Sequence, residues 1–154
     1  MICYFDTSAF VALLVSEPGS ATASQVWDAA DRVVSSRLLY VEAASALAQA
    51  HRLKRLTRIS HQTALSQLDE LYANVDVVAV NDRLVTRAAT LARQLALRAY
   101  DAVHCAAAQM LASNDLVMVS GDKVVLSACR TLGLATADTS APSQVPTSGS
   151  GHGR

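Results

Sequence analysis

The segment ICYFDTS, residues 2–8, decides the fold, because four apolar residues are followed there by an acid and two hydroxyl residues. A short apolar run that ends in polar turn residues is typical of a buried strand. We therefore predict a strand over residues 2–5 that leads through Asp6 into a helix. In an open parallel sheet, the residues that follow the carboxyl ends of the strands line the ligand-binding crevice.

Strand-like and helix-like patterns alternate outward from this segment to about residue 136. Such alternation is typical of a parallel sheet with helices on both faces. The sequence thus predicts an α/β fold, a three-layer α/β/α sandwich with a mostly parallel central sheet. Ser20 and Asn81 are predicted to cap helix N-termini, and Gly133 to follow a helix C-terminus. The predicted strands cover residues 2–5, 32–35, 75–80, 116–120 and 134–136, and the predicted helices cover residues 8–15, 20–30, 37–55, 60–74, 82–96, 100–112 and 123–132.

The composition indicates one domain followed by a tail. The chain has 154 residues, of which 51% are apolar, and this is enough for a single sizeable core. Glycine, proline and serine become frequent from residue 139 onward, and apolar residues become rare. Such a segment has too little to bury to offset its ordering entropy. We predict a domain over residues 1–138 and a disordered tail over residues 139–154.

The charge balance, the cysteines and the apolar runs indicate what the protein can bind and where in the cell it is expected. The 13 basic residues balance the 13 acidic ones, so any surface that binds nucleic acid must be local. Cys3, Cys105 and Cys129 lack CxxC spacing and are expected to be buried thiols. No apolar run approaches the roughly 18 residues that span a bilayer, and no secretory signal pattern is evident. We expect a cytoplasmic protein with no membrane association.

Four carboxylates lie where an α/β chain would gather them into one site. Asp6 and Asp122 follow apolar strands, while Glu42 and Asp101 lie near the starts of helices. Helix N-termini point at the same crevice as the strand ends. A group of hard oxygen ligands suits Mg²⁺ or Mn²⁺. The sequence therefore predicts one metal site and metal-assisted phosphodiester chemistry.

Each acid also has a plainer interpretation. Asp6, Asp101 and Asp122 could cap helix N-termini, and Glu42 could be a favourable charge in the first turn of a helix. Glu42, however, lies among apolar and small residues. A charge buried there is costly without a partner, and a bound cation would be that partner.

Polar neighbours are expected to support the acids. The hydroxyls of Thr7 and Ser8 could hold the adjacent carboxylate or a water molecule. His104 is expected to be a hydrogen-bonded core residue, because a lone histidine in an apolar helix usually is. Arg98 could pair with a carboxylate or contact a phosphate.

Four segments together resemble the PIN-domain ribonucleases of the VapC toxin family, which occur in bacterial and archaeal toxin–antitoxin operons. The segments are the first strand with Asp6-Thr7-Ser8, then Ser36-Arg37-Leu38-Leu39-Tyr40-Val41-Glu42, Leu97-Arg98-Ala99-Tyr100-Asp101-Ala102-Val103-His104 and Ser120-Gly121-Asp122. The resemblance covers roughly residues 1–136, in the family's order and spacing. Ser120 stands where the family usually has threonine and keeps the hydroxyl.

This resemblance implies a Mg²⁺-dependent endoribonuclease that is the toxin component of a VapB–VapC pair. It implies that Asp6 and Asp101 bind the Mg²⁺, for which Mn²⁺ could substitute, and that Glu42 and Asp122 complete the catalytic site. It also implies a homodimer and a cognate VapB-type antitoxin protein as partner. The metal would polarise the scissile RNA phosphate and lower the pKa of a bound water.

Two other classes of protein also gather acids at strand ends. A receiver-like signalling domain needs a second acid beside the first, a phospho-acceptor aspartate at the end of a middle strand and a lysine at the end of a late one. Ser8 is not an acid, Asp76 does not end its predicted strand, and Lys123 begins a helix. An Asp-x-Asp phosphatase fails for the same reason at Ser8. A non-catalytic PIN-like or receiver-like Mg²⁺-binding interaction domain stays as the alternative.

The densest positive run is HRLKRLTR, residues 51–58. Positive charge at a helix C-terminus also complements the helix dipole. A nuclease with an acidic site, however, needs cations nearby to hold RNA. The candidate RNA-binding residues are Arg52, Lys54, Arg55 and Arg58.

Overall fold

The computed structural model describes residues 1–113 and 115–140. Strands and helices alternate over this part of the chain, as the sequence predicts. The strands are β1 (Ile2–Phe5), β2 (Arg32–Ser36), β3 (Val75–Val78), β4 (Leu116–Ser120) and β5 (Ala135–Asp138). The helices are α1 (Thr7–Leu14), α2 (Ser20–Ala29), α3 (Leu39–Arg52), α4 (Arg58–Tyr72), α5 (Asp82–Leu95), α6 (Ala99–Met110) and α7 (Lys123–Thr131).

The five strands form a sheet in the order β3-β2-β1-β4-β5. Every pairing in it is parallel, which satisfies the predicted mostly parallel sheet. The chain passes from β1 to β2 on one side and later enters β4 on the other side of β1. The carboxyl ends of β1 and β4 therefore form a topological switch point, where ligands bind in sheets of this kind. Because Phe5 pairs with Val119, the residues after these two strands emerge side by side.

Helices cover both faces of the sheet, so the molecule has three layers. Cys3 and Phe5 pack on one face with α1, α3 and α4, while Tyr4 packs on the other with α5, α6 and α7. Alternate residues of a strand point to opposite faces, so a central strand covered on both sides must be apolar throughout. Burying a large side chain of this kind contributes roughly 1.5–3 kcal/mol. The apolar run at residues 2–5 is explained by this double burial.

The predicted elements are confirmed in type and order, but the long helix is shorter than predicted. It covers Leu39–Arg52 and not residues 37–55. Its start is delayed because the Arg37 N–H bonds to the Val78 carbonyl at 2.9 Å. Beyond its end, Lys54 has a positive φ of 58°, which a helix cannot continue. The predicted cap at Asn81 and the left-handed Gly133, with φ of 79°, are both present.

The predicted N-cap at Ser20 is wrong. Gly19 occupies the N-cap position of α2 and makes no side-chain capping bond. The Ser20 hydroxyl instead accepts from the Glu17 N–H at 3.0 Å and donates to the Val15 carbonyl at 2.9 Å. Serine hydroxyls readily bond to nearby backbone groups in this way, so Ser20 closes the preceding turn.

The cysteines and the end of the domain can be compared with prediction in part. Cys3, Cys105 and Cys129 are buried free thiols, as predicted. Thr139, assigned to the tail, is buried because its N–H continues the β5 pairing by bonding to the Ser120 carbonyl at 2.9 Å. The rest of the tail prediction, residues 141–154, lies outside the described residues. None of the helices that the structure describes combines the length and apolarity needed to cross a bilayer.

Candidate active site

The Asp6 carboxylate lies at the carboxyl end of β1 and is only 4% exposed. Its Oδ1 accepts hydrogen bonds from the Ser8 hydroxyl at 2.7 Å and from the Ala9 N–H at 3.0 Å. Its Oδ2 accepts from the Ser120 hydroxyl at 2.6 Å. We call Asp6, Ser8 and Ser120 the floor of the site. Both carboxylate oxygens are thus fixed in direction.

The two serine hydroxyls of the floor are themselves held by the turn after β4. The Ser8 oxygen accepts from the Gly121 N–H at 2.8 Å, and the Ser120 oxygen accepts from the Asp122 N–H at 2.9 Å. A hydroxyl has one proton to donate, and in each case the short bond directs it at Asp6. The backbone of one strand end therefore sets the orientation of an acid on the neighbouring strand.

Arg98, Asp101 and Asp122 form a second group, which we call the rim. The Arg98 Nε donates to Asp101 Oδ2 at 2.9 Å, and an Arg98 terminal nitrogen lies 3.5 Å from Asp122 Oδ2. The Arg98 side chain is 81% exposed. Ion pairs with exposed partners contribute little to stability and are screened by salt, so other charged groups can readily replace Arg98 on these two acids.

Glu42 has a protein partner that the sequence did not reveal. Its Oε1 lies 2.8 Å from His104 Nε2, and His104 Nδ1 lies 3.0 Å from the Tyr4 hydroxyl. Because a carboxylate oxygen accepts hydrogen bonds, Nε2 donates to Glu42, and Nδ1 shares a hydrogen bond with the Tyr4 hydroxyl. The Thr7 hydroxyl also lies 3.3 Å from Nε2. His104 is a buried, hydrogen-bonded residue as predicted, but it also belongs to the site, where it is the side-chain partner of Glu42.

One cavity of about 370 Å³ brings the predicted acids together. Its carboxylates are contributed by the β1 and β4 ends and by α3 and α6, which is the arrangement that the strand order predicts. Glu17 also lines the cavity, although no motif marks it, and burial raises the pKa of its carboxyl. The acids of the predicted site that line this cavity are Asp6, Glu42, Asp101 and Asp122.

The sequence of the chain matches known proteins over most of its length. The profile of the PIN domain matches residues 3–130. Ribonuclease VapC45 of Mycobacterium tuberculosis is 40% identical over 122 residues, which cover 79% of this chain and 85% of that protein. The chain belongs to the VapC family of PIN-domain ribonucleases.

Solved structures agree with the VapC-type fold. The crystal structure of PAE2754 from Pyrobaculum aerophilum superposes with a TM-score of 0.67 at 21% identity, over 88% of this chain and 89% of that one. The structure of VapBC-1 from nontypeable Haemophilus influenzae gives a TM-score of 0.62 at 18% identity, over 92% and 100% of the two chains. At these identities the likeness concerns the fold.

Helix capping and a place in the carboxylate cavity are compatible at two of the acids. Asp6 caps α1 through the Ala9 N–H. Asp122 caps α7 by accepting from the Val124 and Val125 N–H groups at 2.8 and 3.4 Å. The capping interpretation is wrong for Asp101, since Arg98 occupies the N-cap position of α6. Asp101 therefore has no capping role at that terminus, and its position in the cavity needs another explanation.

Asp6 is buried among neutral hydrogen-bond donors, whereas Asp101 and Asp122 share the charged Arg98. Burial raises the pKa of Asp6 above its ordinary value of 3.8, although the nearby His104 and the hydrogen bonds from Ala9, Ser120 and Ser8 lower it. No ion pair reaches this carboxylate within residues 1–113 and 115–140. A buried charge without a direct counter-charge is costly, and a cation in the cavity would offset that cost.

The donor set fits a magnesium ion in kind. Among the described residues, no three His, Cys, Asp or Glu side chains are already arranged around a metal position. Mg²⁺ does not require such a cage, because it usually binds through one or two carboxylates and keeps several waters or phosphate oxygens as its other ligands. Asp6 and Asp101 line the same cavity, and Arg98 on Asp101 is exchangeable. The residues present therefore suit Mg²⁺ in kind, and Arg98 would have to leave Asp101 for the ion to bind there.

Residues 1–113 and 115–140 do not form the receiver-like arrangement. Asp76 is the second residue of β3 and pairs with Arg32 at 2.6 Å, so it does not sit at a strand end that could present a phospho-acceptor. Lys123 is the first residue of α7. Neither side chain lines the cavity of the four acids.

The basic run does not join the carboxylates. Glu42 lies in the first turn of α3 and Arg52 is its last residue, so about 15 Å of helix separates them at roughly 1.5 Å per residue. A second cavity lies along the C-terminal half of α3. Its lining includes Gln49, Leu53 and Arg55. The predicted RNA-binding residues therefore stand at a distance that a few nucleotides could span, and their role stays a prediction.

Proposed function

We propose that this protein is a Mg²⁺-dependent endoribonuclease, the toxin component of a VapB–VapC-type pair. The observation that carries the proposal is the convergence of four carboxylates on one cavity at the β1/β4 switch point. The family relationship supports it, because the similar VapC45 protein is a ribonuclease by name. A PIN-like domain that only bound RNA or a partner, without a metal, would not require this donor set with its supporting hydroxyls.

Asp6 and Asp101 would hold the Mg²⁺, and Mn²⁺ would serve in its place. When bound, the ion would supply Lewis-acid polarisation of the scissile phosphate and a lowered pKa for the attacking water. The chain's own contribution is to aim the carboxylates. Ser8 and Ser120 fix both oxygens of Asp6, so little reorganisation is required there when a cation arrives.

Glu42 and Asp122 would orient the attacking water and accept its proton. His104 holds one oxygen of Glu42 at 2.8 Å, which fixes the carboxylate for general-base work. Arg98 would move from Asp101 and Asp122 to a phosphate oxygen of the RNA, since a guanidinium binds either partner in a bidentate manner. The rim would thus exchange an internal ion pair for one with the substrate.

The proposal is tested by incubating the purified protein with total RNA in Mg²⁺ or in EDTA and mapping the cleaved ends. We expect discrete cleavage sites in Mg²⁺ and none in EDTA. Asp101→Asn is the matched variant that should be inactive, because Asp101 caps no helix and can change without loss of a cap. Equal cleavage by this variant, or equal cleavage in EDTA, would refute the proposal.

The proposed partners are a VapB-type antitoxin protein, an RNA substrate and a second copy of the chain. One solved chain of similar fold belongs to a structure that is named as a toxin–antitoxin complex, from Klebsiella pneumoniae. The proposed location of all three interactions is the cytoplasm. Co-expression with the neighbouring open reading frame, followed by size-exclusion chromatography, would detect both the complex and the dimer.

A further inference from the structure

A groove of about 520 Å³ continues the carboxylate cavity along α3. Thr7, Glu42, Arg98 and Asp101 line both spaces, so a chain bound at the acids would enter the groove directly. Beyond these shared residues the groove is lined by the start of α6 and by one face of α3. The groove residues that the argument uses are Val41, Ser45, Gln49 and Tyr100.

Tyr100 is 56% exposed although it adjoins Asp101. No hydrogen bond or ring contact of its side chain occurs in the described part of the chain. Tyr40 provides a contrast, because it is 41% exposed but donates to Asp69 at 2.7 Å and packs edge-to-face on Tyr72 at 5.2 Å. Packing therefore explains the position of Tyr40 and leaves that of Tyr100 unexplained.

We propose that the groove binds the nucleoside next to the scissile phosphate, with its base stacked on Tyr100. This inference rests on the proposed ribonuclease function and names a binding subsite for the same substrate. An exposed aromatic ring beside a cationic side chain is how proteins hold single-stranded RNA. Val41, 57% exposed, adds an apolar contact, while the Ser45 hydroxyl and the Gln49 amide offer hydrogen bonds to the base or ribose.

The lining of the groove favours a nucleoside over a segment of a protein partner. A helical peptide needs a continuous apolar groove for its anchors. Here Ser45, Gln49 and Arg98 interrupt the apolar surface of Val41 and Tyr100. Arg98 also places a positive charge where the phosphate of a bound nucleotide would lie, in the region shared with the carboxylate cavity.

The test uses a short single-stranded RNA that spans a mapped cleavage site, with either the natural base or an abasic ribose beside the scissile phosphate. Loss of one base–aromatic stack should raise the KM of Tyr100→Ala about 5- to 160-fold, with the effect in KM rather than in kcat. Tyr100→Phe should retain wild-type KM, because it keeps the ring. Tyr40→Ala is the matched control and should lower the melting temperature while KM stays at the wild-type value.

The abasic RNA separates stacking from a structural effect of the substitution. For the wild-type protein, removal of the base should raise KM by about as much as Tyr100→Ala does. The two changes together should cost no more than either one, since both remove the same stacking interaction. Equal KM for the natural and abasic RNA with the wild-type protein would overturn the inference without any variant.

Failure of the subsite and failure of the proposed function give different results. If the wild-type protein cleaves no RNA in Mg²⁺, the proposed function fails, and the subsite fails with it. If Tyr100→Ala cleaves RNA with wild-type KM but binds a co-expressed VapB-type antitoxin more weakly, the groove belongs to the protein partner and the inference alone is wrong. Tyr100→Leu, which keeps apolar area without a ring, should behave like Tyr100→Ala in the RNA assay.

Discussion

The floor and the rim of the carboxylate cavity hold their acids in different ways. In the floor, Asp6 is buried and receives hydrogen bonds from Ser8 and Ser120, which are neutral groups. In the rim, the more accessible Asp101 and Asp122 share the exposed Arg98. One group is fixed by the backbone of two adjacent strands, and the other by a flexible side chain that water surrounds.

Because of this difference, the Asp6 carboxylate is oriented in advance for a ligand, whereas Asp101 and Asp122 can exchange Arg98 for another partner. Neutral donors orient the Asp6 charge without cancelling it, so its attraction for a cation remains. Arg98 offsets the charge on the rim acids in the absence of substrate and can leave when a cation or phosphate competes. The comparison therefore predicts that changes to the floor and the rim have separable effects on binding, turnover and stability.

The largest effect is expected at the two proposed metal ligands, one in the floor and one in the rim. The floor and the rim should not differ here, because both ligands would be needed to hold the metal. Asp6→Asn and Asp101→Asn should each reduce RNA cleavage by about 10³-fold or more, because metal catalysis contributes several kcal/mol and about 1.36 kcal/mol corresponds to a factor of ten. Initial rates on the mapped RNA substrate measure this. Substantial activity in either variant would remove that residue from the proposed metal site.

Removing the two serine hydroxyls tests the floor while the acids and Arg98 of the rim stay unchanged. Ser8→Ala and Ser120→Ala should each lower activity or metal affinity roughly 10- to 100-fold, as is usual for groups that orient a metal ligand. Ser66→Ala, at an exposed serine of α4, is the control and should resemble the wild type. If the floor variants also resemble the wild type, Asp6 needs no orientation and the distinction between floor and rim is wrong.

The basic run should produce a smaller effect that is distinct from both groups. Neutralising Arg52 and Arg55 together should weaken RNA binding and reduce the log–log salt slope by about 0.7 to 0.9 for each phosphate that the protein no longer neutralises. Fluorescence anisotropy with labelled RNA over a range of salt concentrations measures the slope. An unchanged slope would show that these side chains only complement the α3 dipole.

The smallest expected effect concerns the stability of the metal-free floor. Because burial holds the pKa of Asp6 above 3.8 in the folded state, its contribution to stability is present at low pH and is lost as the pH rises through the folded value. In EDTA at neutral pH, Asp6→Asn should therefore melt above the wild type, with the helix cap retained by asparagine.

The pH dependence checks the sign of this effect. The difference in melting temperature between Asp6→Asn and the wild type should shrink as the pH is lowered toward 3.8, because the wild-type carboxyl then also becomes neutral. A variant that melts lower than the wild type at neutral pH would mean that the hydroxyl bonds to the carboxylate outweigh its desolvation.

The sequence was sufficient to predict the floor's place in the fold. The apolar run before Asp6 and the run before Ser120 each specify a strand, and alternation with helices makes the strands parallel. Once both strands are central, their carboxyl ends must meet. The sequence pattern alone therefore predicts that the first and last acids, Asp6 and Asp122, lie close together.

Side-chain pairing could not be predicted from that pattern. Glu42 and His104 are 62 positions apart, and their contact depends on how α3 and α6 pack across the end of the sheet. The sharing of Arg98 between Asp101 and Asp122 likewise depends on the relative position of two helix N-termini. Ser20 shows the same limitation locally, since a hydroxyl has several backbone partners within reach and the chain geometry selects among them.

The most direct test of the distinction between floor and rim is calorimetric titration of the protein with Mn²⁺ in the absence of RNA. We predict that the wild type binds Mn²⁺, that Asp6→Asn loses this binding, and that Arg98→Gln binds a few-fold more tightly because the rim acids are released. Equal Mn²⁺ affinity in the wild type and Asp6→Asn, or weaker binding by Arg98→Gln, would contradict the account.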